Sequence, residues 1–499
     1  MQKCKPLLFL LVSFSIRYTK EEIKNKIMSQ KRTKIVATIG PASESKEMLE
    51  RMVDAGMNVV RLNFSHGEHA SHQVILERVR EISREKNQAI AVLADMQGPR
   101  IRTEVKAEIP VEKDTEVTVS DIAHPECSAE ILLDMKGISD GILPGHKILI
   151  EDGTIELEVI ERVGECLKTK ALNKGLIKNR KGVILPDSEL DLEILSEKDK
   201  RDLRFAVEHQ VDYVGLSFVG SAEDIQTVRD EMRAIAGEGV RVPKIISKIE
   251  RKIAIANLSS IIKATDAVMV ARGDLGIEMP TSEVVLLQKR IIHESLSSAK
   301  PVIVATQMMK SMTENPHPTR AEVSDVSNAV IDHTDAIMLS EESAMGKYPV
   351  ETIAAMNEIA TKTEESPYDD VYRALSLNFR NEFSVLVRSA YEIAKSFDAK
   401  AVVVMTESGL SARLLSHFRP EKELLVATSD RRTWQELALV WGVYPHLYEG
   451  VGSTETQKKM LLEDAKKSNT LSPGDKITLF IGRTETSDNM KLVGIQEVR

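Results

Sequence analysis

From residue 34 onward, short apolar runs rich in β-branched residues alternate with stretches whose apolar positions recur every three or four residues. The runs fall at 35–39, 59–64, 89–95, 213–218, 245–249, 268–271, 302–305 and 336–339. Strands that are apolar almost throughout suit a parallel sheet covered on both faces. Between them lie helix-start sequences: Ser196-x-x-Asp199, Ser221-x-x-Asp224 and, after Pro316 and Pro318, Thr319-x-x-Glu322. Eight strand–helix units predict an α/β fold, a TIM (β/α)8 barrel, whose chemistry sits on the loops where the strands end.

The pattern breaks between the third and fourth runs. Residues 99–195 alternate apolar and polar with glycine turns, and 149–157 reads as a hairpin with Asp152-Gly153 at its turn. This predicts an all-β domain inserted at the catalytic end of the barrel, where it closes as a lid. Strand–helix alternation resumes after about residue 366, with strands at 401–405, 424–427 and 477–481, and predicts a smaller C-terminal α/β domain. The expected division is therefore 1–30 as an extension, 31–98 with 196–365 as barrel, 99–195 as lid and 366–499 as C-terminal domain. The extension begins like a secretory leader, with Lys3 and Lys5 before an apolar stretch at 7–16, but no small-residue cleavage site follows. Translation is expected to start near Met28.

Composition narrows the function. The chain has 499 residues, 67 basic and 76 acidic, for a net charge of −9. That balance argues against a chain-wide nucleic-acid or anionic-membrane binder, and no run approaches the ~20 apolar residues of a membrane-spanning helix. Local basic pockets for small anions stay open. Cys4, Cys127 and Cys166 are too few and scattered for a disulfide framework or a zinc site, which favours a reducing, cytoplasmic setting.

The strand ends carry the polar residues. The second ends Arg61-Leu-Asn-Phe-Ser-His66: a guanidinium suited to multidentate phosphate binding, then an amide, a hydroxyl and an imidazole, or simply a polar loop before a helix. The third ends at Asp95, a candidate cation contact, with Arg102 placed to grip phosphate at the lid's mouth. In the fifth, Lys248 and Glu250 share one face, as a salt bridge or as a site. The sixth supplies Asp274 after Gly273, whose backbone allows close approach of an anion. Two carboxylates with substrate oxygens suit Mg2+, which keeps few protein ligands. Thr306 at the seventh end is a cap or a packed hydroxyl on its own, and Lys181 is a solvated loop residue or a lid cation for nucleotide phosphate. Together these make a phosphoryl-transfer site, where positioning and charge neutralisation do most of the work.

Specific motifs sharpen this. Arg32-Thr-Lys-Ile-Val-Ala-Thr-Ile-Gly-Pro-Ala-Ser43, Met57-Asn-Val-Val-Arg-Leu-Asn-Phe-Ser-His-Gly67, Ile245-Ile-Ser-Lys-Ile-Glu250, Met269-Val-Ala-Arg-Gly-Asp-Leu-Gly-Ile-Glu278 and Pro318-Thr-Arg-Ala-Glu322 resemble the pyruvate kinase family, and the likeness runs from about Lys31 to the C-terminal domain. The resemblance implies a glycolytic enzyme that converts phosphoenolpyruvate and ADP to pyruvate and ATP. It implies that Arg61 binds the substrate phosphate and Lys248 stabilises the moving phosphoryl group. Glu250 and Asp274 would hold Mg2+, with Mn2+ as a substitute. Gly273, Asp274 and Thr306 would receive the substrate carboxylate, Thr306 joining the relay that protonates the enolate. Asn63, His66, Arg102 and Lys181 would contact ATP, and the assembly would be a homotetramer.

Two departures from the family pattern matter. Members that need K+ hold it with residues matching Asn63, Ser65, Asp95 and the backbone of Met96, and carry threonine at the Met96 position and glutamate at the Arg100 position. Arginine at 100 resembles the K+-independent group, so activity without K+ is expected. The run Thr406-Glu-Ser-Gly-Leu-Ser411 resembles the effector-phosphate loop, with Thr406, Ser408 and Ser411 as anion contacts, or it is an unliganded helix cap. Glu407 stands where fructose-1,6-bisphosphate-responsive forms have lysine, and the loop 482–488 lacks their tryptophan–arginine–proline pattern. A monophosphate effector, a sugar phosphate or AMP, fits better than a bisphosphate. A pyruvate-forming lyase or aldolase would not need the inserted lid, the Arg61–His66 run or a lysine beside the magnesium ligand, and the presence of Lys248, Glu250, Asp274 and Thr306 together argues against a non-catalytic metabolite-binding regulator.

Overall fold

The computed structural model describes residues 31–122, 127–188, 193–369, 382–482 and 491–499. The extension and most of the 482–488 loop lie outside the described residues. Eight parallel strands close into a barrel: Lys34–Thr38, Val59–Asn63, Ala91–Asp95, Tyr213–Leu216, Lys244–Ile249, Ala267–Ala271, Val302–Ala305 and Ala336–Leu339. Each pairs with its sequence neighbour, and the first closes onto the last with Lys34 opposite Ala336. These are the eight apolar runs, within a residue or two at most ends.

The helices form as their start sequences imply. Ser196, Ser221 and Thr319 each accept from the backbone three residues on, and Asp199, Asp224 and Glu322 return the bond, so all three are reciprocal capping boxes. Burial is nearly complete along the strands, and one side-chain cluster runs from Ile35 through Val92 and Ile249 to Met356. A core this continuous fixes the strand ends on which the polar residues stand.

Between the third and fourth barrel strands a second, seven-stranded closed β barrel is inserted, with its own core around Val119, Ile150 and Leu167. Its hairpin pairs Lys147–Ile150 with Ile155–Val163. The connection is four residues long with Asp152-Gly153 at its centre, as expected, and Glu151, Asp152 and Gly153 all lie at positive φ. The hairpin tip reaches the main barrel: a Cβ on Gly153 would sit 3.5 Å from Ile277 Cγ2, on the helix Arg272–Glu278. At the lid's root, Gly98 has φ 72° and donates its N–H to Asp199 at 3.0 Å. A side chain at 98 would strike the Phe218 ring at 2.8 Å, so this hinge position requires glycine.

One sequence expectation is corrected in the lid. Cys127 and Cys166 are joined in a disulfide, with Cα atoms 5.6 Å apart. Cysteines 39 apart in sequence look unrelated until the β barrel brings the start of Cys166–Ala171 against the connection that holds Cys127.

The C-terminal domain is a five-stranded sheet in the order Val443–Leu447, Glu423–Thr428, Ala401–Met405, Lys476–Ile481, Leu492–Glu497, with only the last strand antiparallel. It packs against the end of the barrel where the strands begin, opposite the strand ends that carry the polar residues. There the buried Lys34 amine donates to the Val443 carbonyl at 2.8 Å and lies 3.7 Å from the Tyr444 ring centroid. The Tyr213 hydroxyl donates to the Glu436 carbonyl at 2.7 Å. Among the described residues no helix is long and apolar enough to cross a membrane.

Candidate active site

Four strand ends converge on one buried charge cluster. The Lys248 amine donates to Ser217 Oγ at 2.7 Å and lies 3.5 Å from Asp95 Oδ1 and 3.4 Å from Glu250 Oε2. Arg61 reaches the same carboxylate from the second strand, Nε to Asp95 Oδ2 at 2.6 Å, while its Nη1 donates to Thr38 Oγ1 at 2.8 Å. Parallel strands in register make this meeting possible: Arg61 faces Leu93 and Gly215 faces Asp95. Glycine at 215 is needed for space, since a Cβ there would lie 2.9 Å from Asp95 Oδ1.

Electrostatics sort these groups. Burial works against the charge on Lys248, but Asp95, Glu250 and Asp274 outweigh it and raise its pKa above the usual lysine value. Burial likewise opposes ionisation of Asp95, yet Lys248 and Arg61 pull its pKa down. Glu250 goes the other way. It is 1% exposed, and burial, with Asp274 adding repulsion against the opposing pull of Lys248, pushes it up to about 7. One of its oxygens accepts the Phe218 N–H at 2.6 Å. The other, Oε2, has no hydrogen-bond partner. A buried carboxylate oxygen without a hydrogen bond, 3.4 Å from the Lys248 amine and within the field of Asp274, fits a divalent cation, whose charge would favour the ionised form.

Thr306 stands beside this cluster. It lies at φ 69° and Gln307 at φ 55°, in the left-handed region that β-branched residues seldom adopt. Its hydroxyl accepts the Gly273 N–H at 2.9 Å, so the sixth and seventh strand ends are joined at the expected carboxylate cradle.

The lid cations form a separate group. Lys181 pairs with Glu151, and Arg102 donates to the Arg180 carbonyl at 3.1 Å. Burial and the neighbouring charges of Arg100 and Arg180 hold the Arg102 pKa below its usual value. Arg100 is aimed at Asp152 in the hairpin, 3.6 Å away, so its guanidinium belongs to the lid. The polar loop after Arg61 is buttressed from below: Lys198 donates to the Phe64 carbonyl at 2.6 Å and Asp202 accepts from both Lys198 and His69. Asn63 Oδ1 accepts the Ser65 N–H at 3.2 Å, and His66 stands exposed with its carbonyl on His72. The Met96 carbonyl accepts from Ser217 Oγ at 2.7 Å.

Sequence reasoning missed Ser217, Thr38 and the Phe218 amide. Ser217 follows the fourth strand, so the strand-end rule that singled out Asp95 and Lys248 would have reached it. Ser343 donates to the Thr38 carbonyl at 2.8 Å and so braces the end of the first strand, whose Thr38 hydroxyl accepts from Arg61.

The run Thr406–Ser411, the expected effector loop, lies at the strand ends of the C-terminal sheet. Thr406 and Ser411 are buried, and the Thr406 hydroxyl accepts the Gly409 N–H at 3.1 Å. Ser408 lines an open cleft of about 660 Å3 together with Glu407, Arg413, Ser429 and Asp430, and with Arg241 and Lys244 from the barrel.

Comparison with known proteins agrees across the chain. A family described as "Pyruvate kinase, barrel domain" matches residues 30–353, and one described as "Pyruvate kinase, alpha/beta domain" matches 384–493. A pyruvate kinase of Staphylococcus saprophyticus is 38% identical over 474 residues, covering 93% of this chain and 80% of that protein. One from Geobacillus stearothermophilus is 36% identical, covering 94% and 81%. A crystal structure of a pyruvate kinase from Cryptosporidium parvum superposes with a TM-score of 0.88 at 30% identity, over 96% of this chain and 98% of that one.

Proposed function

The chain belongs to the pyruvate kinase family, an enzyme that moves the phosphoryl group of phosphoenolpyruvate to ADP, and we propose that it does so through the buried cluster of Arg61, Asp95, Lys248, Glu250 and Asp274. The observation that carries this reading is Lys248: an amine held cationic by three carboxylates and aimed by Ser217. Such a fixed charge, needing no reorganisation, stabilises the negative charge that spreads over a phosphoryl group in flight.

Arg61 binds the substrate phosphate with a guanidinium already oriented by Asp95 and Thr38. Gly273 and Asp274 offer backbone N–H groups to the substrate carboxylate, and Thr306 releases Gly273 to it while passing a proton toward the enolate carbon. Asn63, His66, Arg102 and Lys181 hold the nucleotide phosphates, the last two from the lid. Mg2+, or Mn2+ in its place, would be held by Glu250 and Asp274 and would neutralise phosphate charge there.

The K+-type position formed by Asn63, Ser65, Asp95 and Met96 already has Asp95 paired with Arg61 and facing Lys248. This supports turnover without K+, although Arg100 itself lies with the lid. Equal rates in sodium-only and potassium buffers are expected; a rate that collapses without potassium overturns this. Regulation is assigned to the Ser408 cleft, with Thr406 and Ser411 behind it. Arg241, Lys244 and Arg413 there suit a monophosphate, a sugar phosphate or AMP, and Glu407 disfavours a bisphosphate. A homotetramer in the cytoplasm accords with the family, and Val285 and Leu286 are exposed apolar residues on one helix that a partner would cover.

The deciding experiment is pyruvate release from phosphoenolpyruvate with and without ADP. Release that depends on ADP supports the kinase; ADP-independent release points to a lyase, and none to a binding regulator.

A further inference from the structure

We propose that Arg272 is the positioning residue for Thr306: its side chain holds the threonine's backbone in the left-handed conformation that aims the hydroxyl into the site. This rests on the reading of Thr306 as a relay group.

The sixth strand ends at Ala271, and Arg272 is the next residue. Of the residues assigned to substrate, its side chain touches only Thr306, and that at the backbone. It turns to the end of the seventh strand, where Nε donates to the Ala305 carbonyl at 3.2 Å and Nη2 to the Thr306 carbonyl at 2.6 Å. A guanidinium is a flat fork of five N–H donors, so one side chain takes two consecutive carbonyls while its other arm holds groups on two helices; an ammonium, with its three donors on one nitrogen, cannot span that distance. Met308 Sδ lies 2.8 Å from the same Nη2. The far side of the fork is fixed by Asp325 Oδ1 at 2.8 Å and Gln288 Oε1 at 3.4 Å from Nη1.

Thr306 is thus gripped at both ends. Arg272 takes its carbonyl, and the next residue, Gly273, takes its hydroxyl through the backbone N–H. Without the fork, nothing in the local sequence favours positive φ at two successive non-glycine residues, a β-branched one among them. Relaxation to an ordinary conformation would rotate the hydroxyl away from the position where Gly273 meets it. The two outer anchors sit on separate helices, Gln288 on Thr281–Ser297 and Asp325 on Arg320–Ile331. The clamp therefore ties Thr306 to the barrel's outer shell.

Three variants of the full chain test this: Arg272→Lys, Asp325→Asn and Thr306→Ala. Each is followed by melting temperature, by kcat and KM, and by exchange of pyruvate methyl protons with D2O in the presence of Mg2+ and ATP, read by NMR. Exchange reports proton transfer at the enolate carbon, which a purely structural loss would not single out. Arg272→Lys is expected to lower kcat and exchange together by about tenfold or more, with the KM for ADP within about twofold. Asp325→Asn, changing only the outer end of the fork, is expected to lower both by about threefold. Thr306→Ala should lose more than either. If Thr306→Ala loses exchange but folded Arg272→Lys retains the parent rate, the clamp is overturned and the relay stands. If Thr306→Ala itself exchanges normally, the relay reading falls and the clamp with it. Should Arg272→Lys fail to fold, Asp325→Asn decides: reduced exchange supports the clamp and the parent rate overturns it.

Discussion

A lysine stands at each end of this barrel, Lys248 and Lys34, and the two have opposite electrostatic fates. Lys248, at the catalytic end, has Asp95, Glu250 and Asp274 around it, and its pKa is raised in spite of burial. Lys34, at the end that meets the C-terminal domain, is 1% exposed; burial and the charge of Lys31 drive its pKa well below the usual value, with Glu364 and Asp335 too weak to restore it. Burial alone therefore does not decide whether a lysine is charged; the carboxylates beside it do. One end of the barrel has spent acidic residues on keeping a cation, while the other uses an amine as a packing and hydrogen-bonding group against Val443 and Tyr444.

Beyond Lys248 itself, the comparison can be broken most severely at Glu250. Glu250→Gln keeps the acceptor for the Phe218 amide but removes a neighbour of Lys248 and a candidate Mg2+ ligand. Turnover is expected to fall by about a hundredfold or more, with the half-saturating Mg2+ concentration raised. Steady-state rates across a Mg2+ titration check it.

A milder change at the same end is Arg61→Lys, which keeps charge but loses the fork that meets Asp95 and Thr38 together. The KM for phosphoenolpyruvate should rise by about tenfold, with ADP affinity unchanged.

The domain interface carries its own titrating group. His417 is buried, and burial, with Arg419 adding, pushes its pKa down to about 4 against the Leu296 carbonyl. Between pH 6.5 and 4 the unfolded chain takes a proton that the folded one refuses, so stability falls as pH falls through that window. His417→Gln should flatten this acid limb, by up to about 3 kcal/mol in denaturant unfolding.

The smallest effect is expected at Lys34. Its depressed pKa means that the unfolded chain holds the proton to higher pH, so it contributes a rise in stability as pH climbs toward the ordinary lysine range. Lys34→Met should lack that rise, seen as a flatter alkaline limb in thermal melts, while turnover stays within about twofold of the parent.

The barrel was legible because its eight strands are apolar almost without interruption and three of its helices open with capping boxes. The candidate site residues were legible because they stand at the ends of those strands. The strand Val443–Leu447 was missed because Pro445 breaks the pattern expected of a strand, which an edge position tolerates. Leu492–Glu497 was missed because, as the other edge, it is only partly buried and mixes polar with apolar residues. Contacts such as Ser217 to Lys248, Arg272 to Thr306 and Cys127 to Cys166 join residues 31 to 39 apart, through register and barrel closure that no local pattern encodes.

The most direct test is ADP-dependent pyruvate formation measured side by side in folded Lys248→Met and Lys34→Met chains, each with a melting curve. The account predicts that Lys248→Met melts like the parent and loses turnover by about a thousandfold or more, while Lys34→Met remains active. A Lys248→Met enzyme that still turns over, or a folded Lys34→Met chain that does not, would contradict it.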